Sequence, residues 1–199
     1  MDQIINSSSF YSIQSEQILD QSTWQKINTF CKDKTVNDII KVIKWIKNKW
    51  DIDITLDLDI IRGYLRDSSN IEGQAIGLCR PKNKLESVII IRIFHQLKIP
   101  YTVSAGRTNL TGSATPMEGF IIGVENLTET KPIVKDNQVI SSPGIYLEDM
   151  RNEVLKQTDN KFYYPVDPTS RKEAMIGGTV SCNASGFIPG EQGATRRWV

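Results

Sequence analysis

Apolar residues recur at helical spacing in three stretches of the chain. In residues 36–50, "VNDIIKVIKWIKNKW", isoleucine, valine and tryptophan alternate with lysine, which predicts an amphipathic helix. Residues 83–98 begin with Asn83 as an N-cap and Glu86 three positions later, which predicts a largely buried helix. The run "YLEDMRNEVLKQT" predicts a third helix. The lysine-rich helix could also lie on a membrane surface, but packing on the domain is the interpretation we favour.

Short apolar runs bounded by turn residues predict strands between these helices. "AIGLC" and "IPYTVS" flank helix 83–98, and together they predict a strand–helix–strand unit. "GFIIGVE" predicts a third strand, and Ile133–Lys135 with Gln138–Ser141 predict a hairpin around Asp136-Asn137. A short helix and a turn-rich loop from Asp67 to Gly73 precede the first strand.

Composition narrows the class of protein. The chain has 199 residues, of which 39% are hydrophobic and 24% charged, so it forms one domain or two small lobes with a real core. Its net charge of +1 and the absence of a basic stripe argue against nucleic-acid binding. The run "SVIIIRIFHQL" is interrupted by charge and is shorter than the roughly 20 residues of a transmembrane segment.

Cysteine usage and the first residues bear on the compartment. Cys31, Cys79 and Cys182 are far apart and odd in number, which supports neither a zinc site nor a disulfide framework. The beginning of the sequence lacks the features of a signal peptide. We expect a cytoplasmic protein, and we leave open a peripheral attachment to a membrane through a partner.

The stretch "SAGRTNLTGSATP", residues 104–116 and called the first loop here, combines two glycines with many hydroxyl groups. Glycine permits close backbone approach, and successive amides in such a turn can form a concave set of donors for an anion, helped here by Arg107. The loop is neither a P-loop nor a Rossmann fingerprint. Taken alone, it fits a plain surface turn as well as a diphosphate cradle.

A second stretch favours the diphosphate cradle over the plain surface turn. It is "MIGGTVSCNASG", residues 175–186, called the glycine-rich segment here. Its small side chains would let a flat ring or a ribityl chain lie against the backbone. It is expected to be an irregular loop, and "YYPVDPT" before it fixes its approach with Pro165 and Pro168. Asp167, between these prolines, is expected to be a turn residue.

The two stretches together, about sixty residues apart, resemble the FAD-binding domain of the vanillyl-alcohol oxidase-like (PCMH-type) FAD-linked oxidases. Within that family the chain is most similar to the D-lactate dehydrogenase and glycolate oxidase D-subunit group. The resemblance is carried by "IPYTVSAGRTNLTGSATP", "FIIGVENL", "YYPVDPTSRKEAMIGGTVSCNASG" and "GATRRWV". It implies an α+β fold of two small α/β-type lobes with FAD between them, the second lobe being incomplete.

The resemblance also implies which residues hold FAD. It assigns to the diphosphate Ser104, Ala105, Gly106, Arg107, Thr108, Asn109, Gly112 and Ser113. It assigns to the ribityl and isoalloxazine portion Pro168, Thr169, Gly177, Gly178, Thr179, Asn183, Ser185 and Gly186. Glycine is usual in the family where this chain has Arg107 and Asn109. Asn109 is the milder change because asparagine tolerates left-handed backbone angles.

Some family members tether FAD to a histidine of the first loop. This chain has Thr108 there, and its single histidine, His95, lies in the preceding helix, so the resemblance implies non-covalent flavin. We expect His95 to be a core residue rather than a general base or a metal ligand, and no metal site is expected.

The resemblance covers about residues 76–199. We expect the chain to divide into an N-terminal helical extension, residues 1–50, and a C-terminally incomplete FAD-binding domain, residues 51–199. The family's substrate domain, which holds a 2-hydroxy acid, is missing from this sequence. We therefore expect the FAD-binding portion of a flavin-dependent oxidoreductase that is inactive alone, with a partner chain as one way to complete the FAD site. The alternative is a truncated or degenerate relative without catalysis that serves as an interaction module.

Overall fold

The computed structural model describes residues 18–199, and two helices form its N-terminal part. Helix α1 spans Gln21–Cys31, and Asp20 caps it by accepting a hydrogen bond from the Thr23 backbone N–H at 2.8 Å. A short 3₁₀ turn, Val36–Asp38, leads into helix α2, Ile39–Trp50. The helix predicted over 36–50 is therefore confirmed. Of the predicted extension, residues 1–17 lie outside the described residues.

The apolar face of α2 is buried in the main hydrophobic core rather than turned outward. Val42, Ile43 and Ile46 are buried beside residues of α1 and of the sheet-covering helix described below. This confirms the predicted packing of α2 on the domain. In the described part of the chain, none of the helices is both long and apolar enough to cross a bilayer.

A four-stranded sheet forms the centre of the first lobe. Its strands are β1 (Ile54–Thr55), β2 (Gly77–Cys79), β3 (Tyr101–Ser104) and β4 (Phe120–Gly123), in the spatial order β1-β2-β4-β3. Strands β2, β4 and β3 run parallel, and β1 is antiparallel to β2. The predicted strand–helix–strand unit and the third predicted strand are confirmed, and the structure shows that all three strands are parallel. Between β1 and β2 lie helix α3 (Leu58–Ile61) and a 3₁₀ turn (Arg62–Tyr64).

Helix α4, Lys84–Gln96, connects β2 to β3 and covers the sheet. The Asn83 side chain accepts from the Glu86 backbone N–H at 2.9 Å, as the sequence predicts, and Glu86 in turn accepts from the Lys82 N–H. Its buried face is formed by Ile89, Ile90, Ile93 and Phe94. The expectation that His95 is a core residue was wrong, because His95 lies on the opposite, exposed face.

The second, smaller lobe begins with the predicted hairpin, which is confirmed as β5 (Ile133–Lys135) and β6 (Gln138–Ile140). Its two turn residues, Asp136 and Asn137, have φ of 50° and 60°, which is typical of a type I′ turn. Helix α5, Leu147–Gln157, confirms the third predicted helix, and it packs on the hairpin.

The sequence led us to expect an irregular loop for the glycine-rich segment, and this expectation was wrong for part of it. Residues Ile176–Ser181 form the short helix α6, followed by 3₁₀ turns at Glu191–Gly193 and Thr195–Arg197. Glycine costs about 1 kcal/mol in a helix interior relative to alanine, and tertiary contact overrides that cost here. A Cβ at Gly177 would lie 2.8 Å from the Pro143 side chain, so only glycine allows this close packing.

Candidate functional site

The first loop begins where β3 ends, at the edge of the sheet that holds the carboxyl ends of all three parallel strands. Ligands of open α/β sheets bind at this edge. Ser104, the last residue of β3, is fully buried, and the chain then turns outward through half-buried residues to the exposed Leu110. The loop therefore presents its backbone at the place where such a sheet accepts a ligand.

The first half of the loop carries backbone donors that have no partner in the described part of the chain. No acceptor among residues 18–199 takes the N–H groups of the five residues from Gly106 to Leu110. In the second half, the Asn109 side-chain oxygen accepts from the N–H groups of Thr111 and Ser113, at 3.1 and 3.2 Å. The Asn109 side chain thus stabilises the second half of the loop. The amides of the first half, unpaired within the described residues, suit a ligand rich in hydrogen-bond acceptors.

Asp67 anchors the loop from the neighbouring turn, although the sequence analysis did not identify it. Its carboxylate is buried and accepts from the N–H groups of Ser69 at 2.9 Å and Ala114 at 3.3 Å. Burial alone would raise the pKa of Asp67, but hydrogen bonds from Ser69, Ala114 and Asn109 outweigh it and lower that pKa.

This lowered pKa predicts an acid-sensitive anchor. Because the folded state favours the ionised carboxylate, its stabilisation is present above the unfolded pKa of about 3.9 and is lost as the pH falls through the folded pKa. Asp67→Asn should reduce the free energy of unfolding by about 1–2 kcal/mol at pH 7. Denaturant titrations over a pH series should show this difference shrinking in acid. A difference independent of pH would contradict the assignment.

Arg107 occupies the left-handed region of backbone space, with φ of 55°. The resemblance noted in the sequence implies that glycine is usual at this position. Glycine would adopt this backbone conformation without strain. Asn109, the residue expected to tolerate such an angle, does not have a positive φ. The Arg107 carbonyl accepts from the Ser68 N–H at 3.1 Å, which holds the strained residue in place.

The glycine-rich segment and the residues before it approach the first loop closely. A Cβ at Gly178 would lie 3.2 Å from the Ala105 Cβ, and one at Gly106 would lie 2.2 Å from the Glu173 carbonyl oxygen. Ser113 Oγ and Cys182 Sγ are 3.6 Å apart. The structure therefore brings together the two stretches that the sequence analysis paired.

A cleft of about 230 Å³ opens where these stretches meet. It is lined by Ala105, Gly106, Arg107, Tyr146, Lys172, Glu173 and Met175. Tyr146, Lys172 and Glu173 were missed by the sequence analysis, because no local pattern separates them from ordinary surface residues. Gly106 and Arg107, the first two residues of the free amide run, thus face this cleft.

The remaining predicted residues lie further along the second lobe. A Cβ at Gly186 would come within 1.8 Å of the Asp167 carbonyl oxygen, which places Gly186 against the turn containing Pro168 and the exposed Thr169. Asn183 accepts from the Arg196 N–H at 2.9 Å. Thr179 is buried and donates to Ile176, whereas Ser185 is exposed. Within the described chain, none of these six predicted residues forms a hydrogen bond with the first loop.

Asp167 is more than a turn residue, contrary to the expectation from its flanking prolines. Its carboxylate pairs with Arg151 at 2.7 Å and with Arg171 at 3.0 Å, and Glu148 lies 3.1 Å from Arg171. Asp167 is the main cause that raises the pKa of Arg171. This network fixes the turn before Pro168 to α5, and the long separation of its members hid it from sequence reasoning.

The three cysteines of the chain are all free thiols. Cys31 and Cys79 are free and buried, and burial raises the pKa of Cys31 to about 11. Cys182 is free and exposed beside Ser113. Among residues 18–199, no three His, Cys, Asp or Glu side chains are grouped so that they could hold a metal ion.

Comparison with known proteins gives the site a context. The family described as FAD binding domain matches residues 75–199. The D-lactate dehydrogenase of Anaerostipes hadrus is 30% identical over 149 residues, 71% of this chain and 30% of that protein. Glycolate oxidase subunit GlcD of Bacillus subtilis (strain 168) is 29% identical over 122 residues, 60% of this chain and 25% of that protein.

A solved structure of p-cresol methylhydroxylase with substrate bound has the same fold over this region. Its TM-score is 0.62 at 17% identity, and the match covers 79% of this chain and 32% of that one. The second lobe of the present chain is partial relative to that fold. The chain spans about a third or less of the length of these relatives.

Proposed function

Because the chain belongs to the FAD-binding domain family, we propose that it is the flavin-binding portion of an oxidoreductase that oxidises a 2-hydroxy acid of the D-lactate or glycolate type. Membership confirms the resemblance stated from the sequence. The substrate class is suggested by the names of the similar proteins, D-lactate dehydrogenase and glycolate oxidase subunit GlcD. FAD is held non-covalently in this proposal.

The observation that carries the proposal is the run of free backbone donors from Gly106 to Leu110. A diphosphate offers several acceptor oxygens and no donors, so it suits such a run together with the nearby Arg107 guanidinium. In this arrangement Ser104 to Asn109, with Gly112 and Ser113, hold the diphosphate. The close contacts between the first loop and residues 173–178 would then lead the rest of FAD toward the glycine-rich segment.

Bound FAD would accept the hydride or electrons released by the substrate, and the chain's own residues bind and orient it. The proposed ribityl and isoalloxazine contacts are Pro168, Thr169, Gly177, Gly178, Thr179, Asn183, Ser185 and Gly186. Non-covalent binding is supported by Thr108, which cannot form the histidyl link. His95 lies at the C-terminal end of α4, just before β3 begins, whereas the first loop follows the end of β3. The length of β3 therefore separates His95 from the first loop.

An absorption spectrum tests this proposal directly. The purified chain is incubated with FAD, freed of unbound ligand and scanned, and we expect a flavin band that is released into the supernatant on denaturation. Flavin that stays with the denatured chain would contradict the non-covalent site. A folded chain that retains no flavin would contradict the proposed function and favour a relative that serves as an interaction module.

We further propose that the groups that bind and deprotonate the hydroxy acid lie outside residues 1–199, in a substrate domain or a partner chain. This is supported by the share of the relatives that the chain matches, 30% and 25% of their lengths. We expect the FAD-loaded chain not to be reduced by D-lactate or glycolate under anaerobic conditions. Bleaching of the flavin band by either acid, while dithionite serves as the positive control, would contradict this expectation.

A further inference from the structure

Tyr64 lies beneath the first loop as a fixed aromatic platform. Its ring packs against a small core of Ile61, Leu78 and Ile121, on α3 and the central strands. Its hydroxyl donates to the carboxylate of Glu125, which follows β4. The ring is therefore held both at its face and at its polar end, so that its position is set by the sheet.

The Arg107 guanidinium lies over this ring, with its central carbon 4.5 Å from the ring centroid. The same guanidinium donates to the Ala105 carbonyl oxygen at 3.2 Å, at the beginning of the loop. A cation over an aromatic face is attracted by the ring quadrupole, more strongly where water is partly excluded. Arg107 is half-buried, so its charge is held beside the loop instead of moving freely in solvent.

We propose that Tyr64 is a positioning residue for the flavin site, holding the Arg107 guanidinium beside the free amide run so that a fixed positive charge faces the diphosphate. This rests on the proposed function. It also explains how the chain accommodates arginine where the family commonly has glycine. The left-handed strain at Arg107 is offset by the ring beneath its side chain and by Ser68, which donates to its carbonyl.

A series of ring substitutions at position 64 tests this inference. Tyr64→Phe keeps the ring but loses the hydroxyl that donates to Glu125, so it is the reference for the series, and Tyr64→Leu should raise the FAD dissociation constant about five- to tenfold above it. Fluorinated phenylalanines keep the ring's shape but withdraw electron density from its face, so the affinity for FAD should fall with each added fluorine. This series remains informative if Tyr64→Leu does not fold. Tyr163→Leu, at a 65% exposed tyrosine, is the matched control.

The link through Arg107 is tested by repeating the series in an Arg107→Gln background. There the position-64 variants should bind FAD equally, because the charge they position is gone. A flat fluorination series, or an equal loss in both backgrounds, overturns the inference while the proposed function stands. A wild-type chain that binds no FAD overturns the proposed function, and this inference with it.

Discussion

Replacing Gly106 by alanine should weaken FAD binding at least about tenfold and lower the free energy of unfolding by about 2–3 kcal/mol. The new Cβ would lie 2.2 Å from the Glu173 carbonyl oxygen and 3.2 Å from the Ala174 Cα. Both are backbone atoms, so one of the two segments must move. Because the cleft is formed by their contact, the displacement would open the site.

Gly63→Ala is the control for this experiment. A Cβ at Gly63 meets nothing within 4 Å, and the residue lies in a 3₁₀ turn where alanine is well tolerated. Both variants are compared with wild type by denaturant unfolding and by fluorescence titration with FAD. If Gly106→Ala matched Gly63→Ala in both measurements, the close approach of the two segments would be wrong.

The Asp167→Asn variant is expected to have the second largest effect, a loss of about 2 kcal/mol in stability. The side chain of Arg151 is only 21% exposed and would lose its nearest counter-charge, which lies 2.7 Å away. Arg151 would keep only the more distant Glu148 carboxylate, at 3.6 Å, and losing the nearest counter-charge costs a half-buried guanidinium more than an exposed one. The turn that leads into Pro168 and Thr169 would also loosen, so FAD affinity should fall together with the melting temperature.

An exposed ion pair on the same helix provides the comparison. Glu153 and Lys156 are 3.3 Å apart with side chains 38% and 77% exposed, and Glu153→Gln should leave the melting temperature nearly unchanged. The two variants remove one charge each from ion pairs that differ in burial. Equal melting temperatures for Asp167→Asn and Glu153→Gln would show that the half-buried network around Asp167 does not stabilise the second lobe.

Local signals in the sequence predicted most of the elements. Asn83 and Glu86 marked the beginning of α4, and Asp136-Asn137 marked the hairpin, because caps and type I′ turns depend on residues a few positions apart. Helix α6 was missed because Gly177 and Gly178 disfavour a helix, and only the close packing on Pro143 and Ala105 explains its presence.

The candidate site was predictable as two stretches but not as a geometry. The pairing of the first loop with the glycine-rich segment came from a family resemblance, and the structure brings Ala105 and Gly178 together. The roles of Asp67, Tyr64 and Arg151 depend on contacts between residues far apart in sequence. Such contacts leave no periodic pattern, so these residues could be found only once the sheet had placed them.

The strand order has a consequence for how this site can change in evolution. Strands β3 and β4 are parallel neighbours, so the chain leaving Ser104 must return along the whole strand before it can begin β4 at Phe120. Such a return takes about a dozen residues or more and is usually a helix. Here residues 105–119 make it, and they include the free amide run. Substitutions can therefore change what the loop binds, whereas deletions would make the connection too short and disrupt the pairing of β3 with β4.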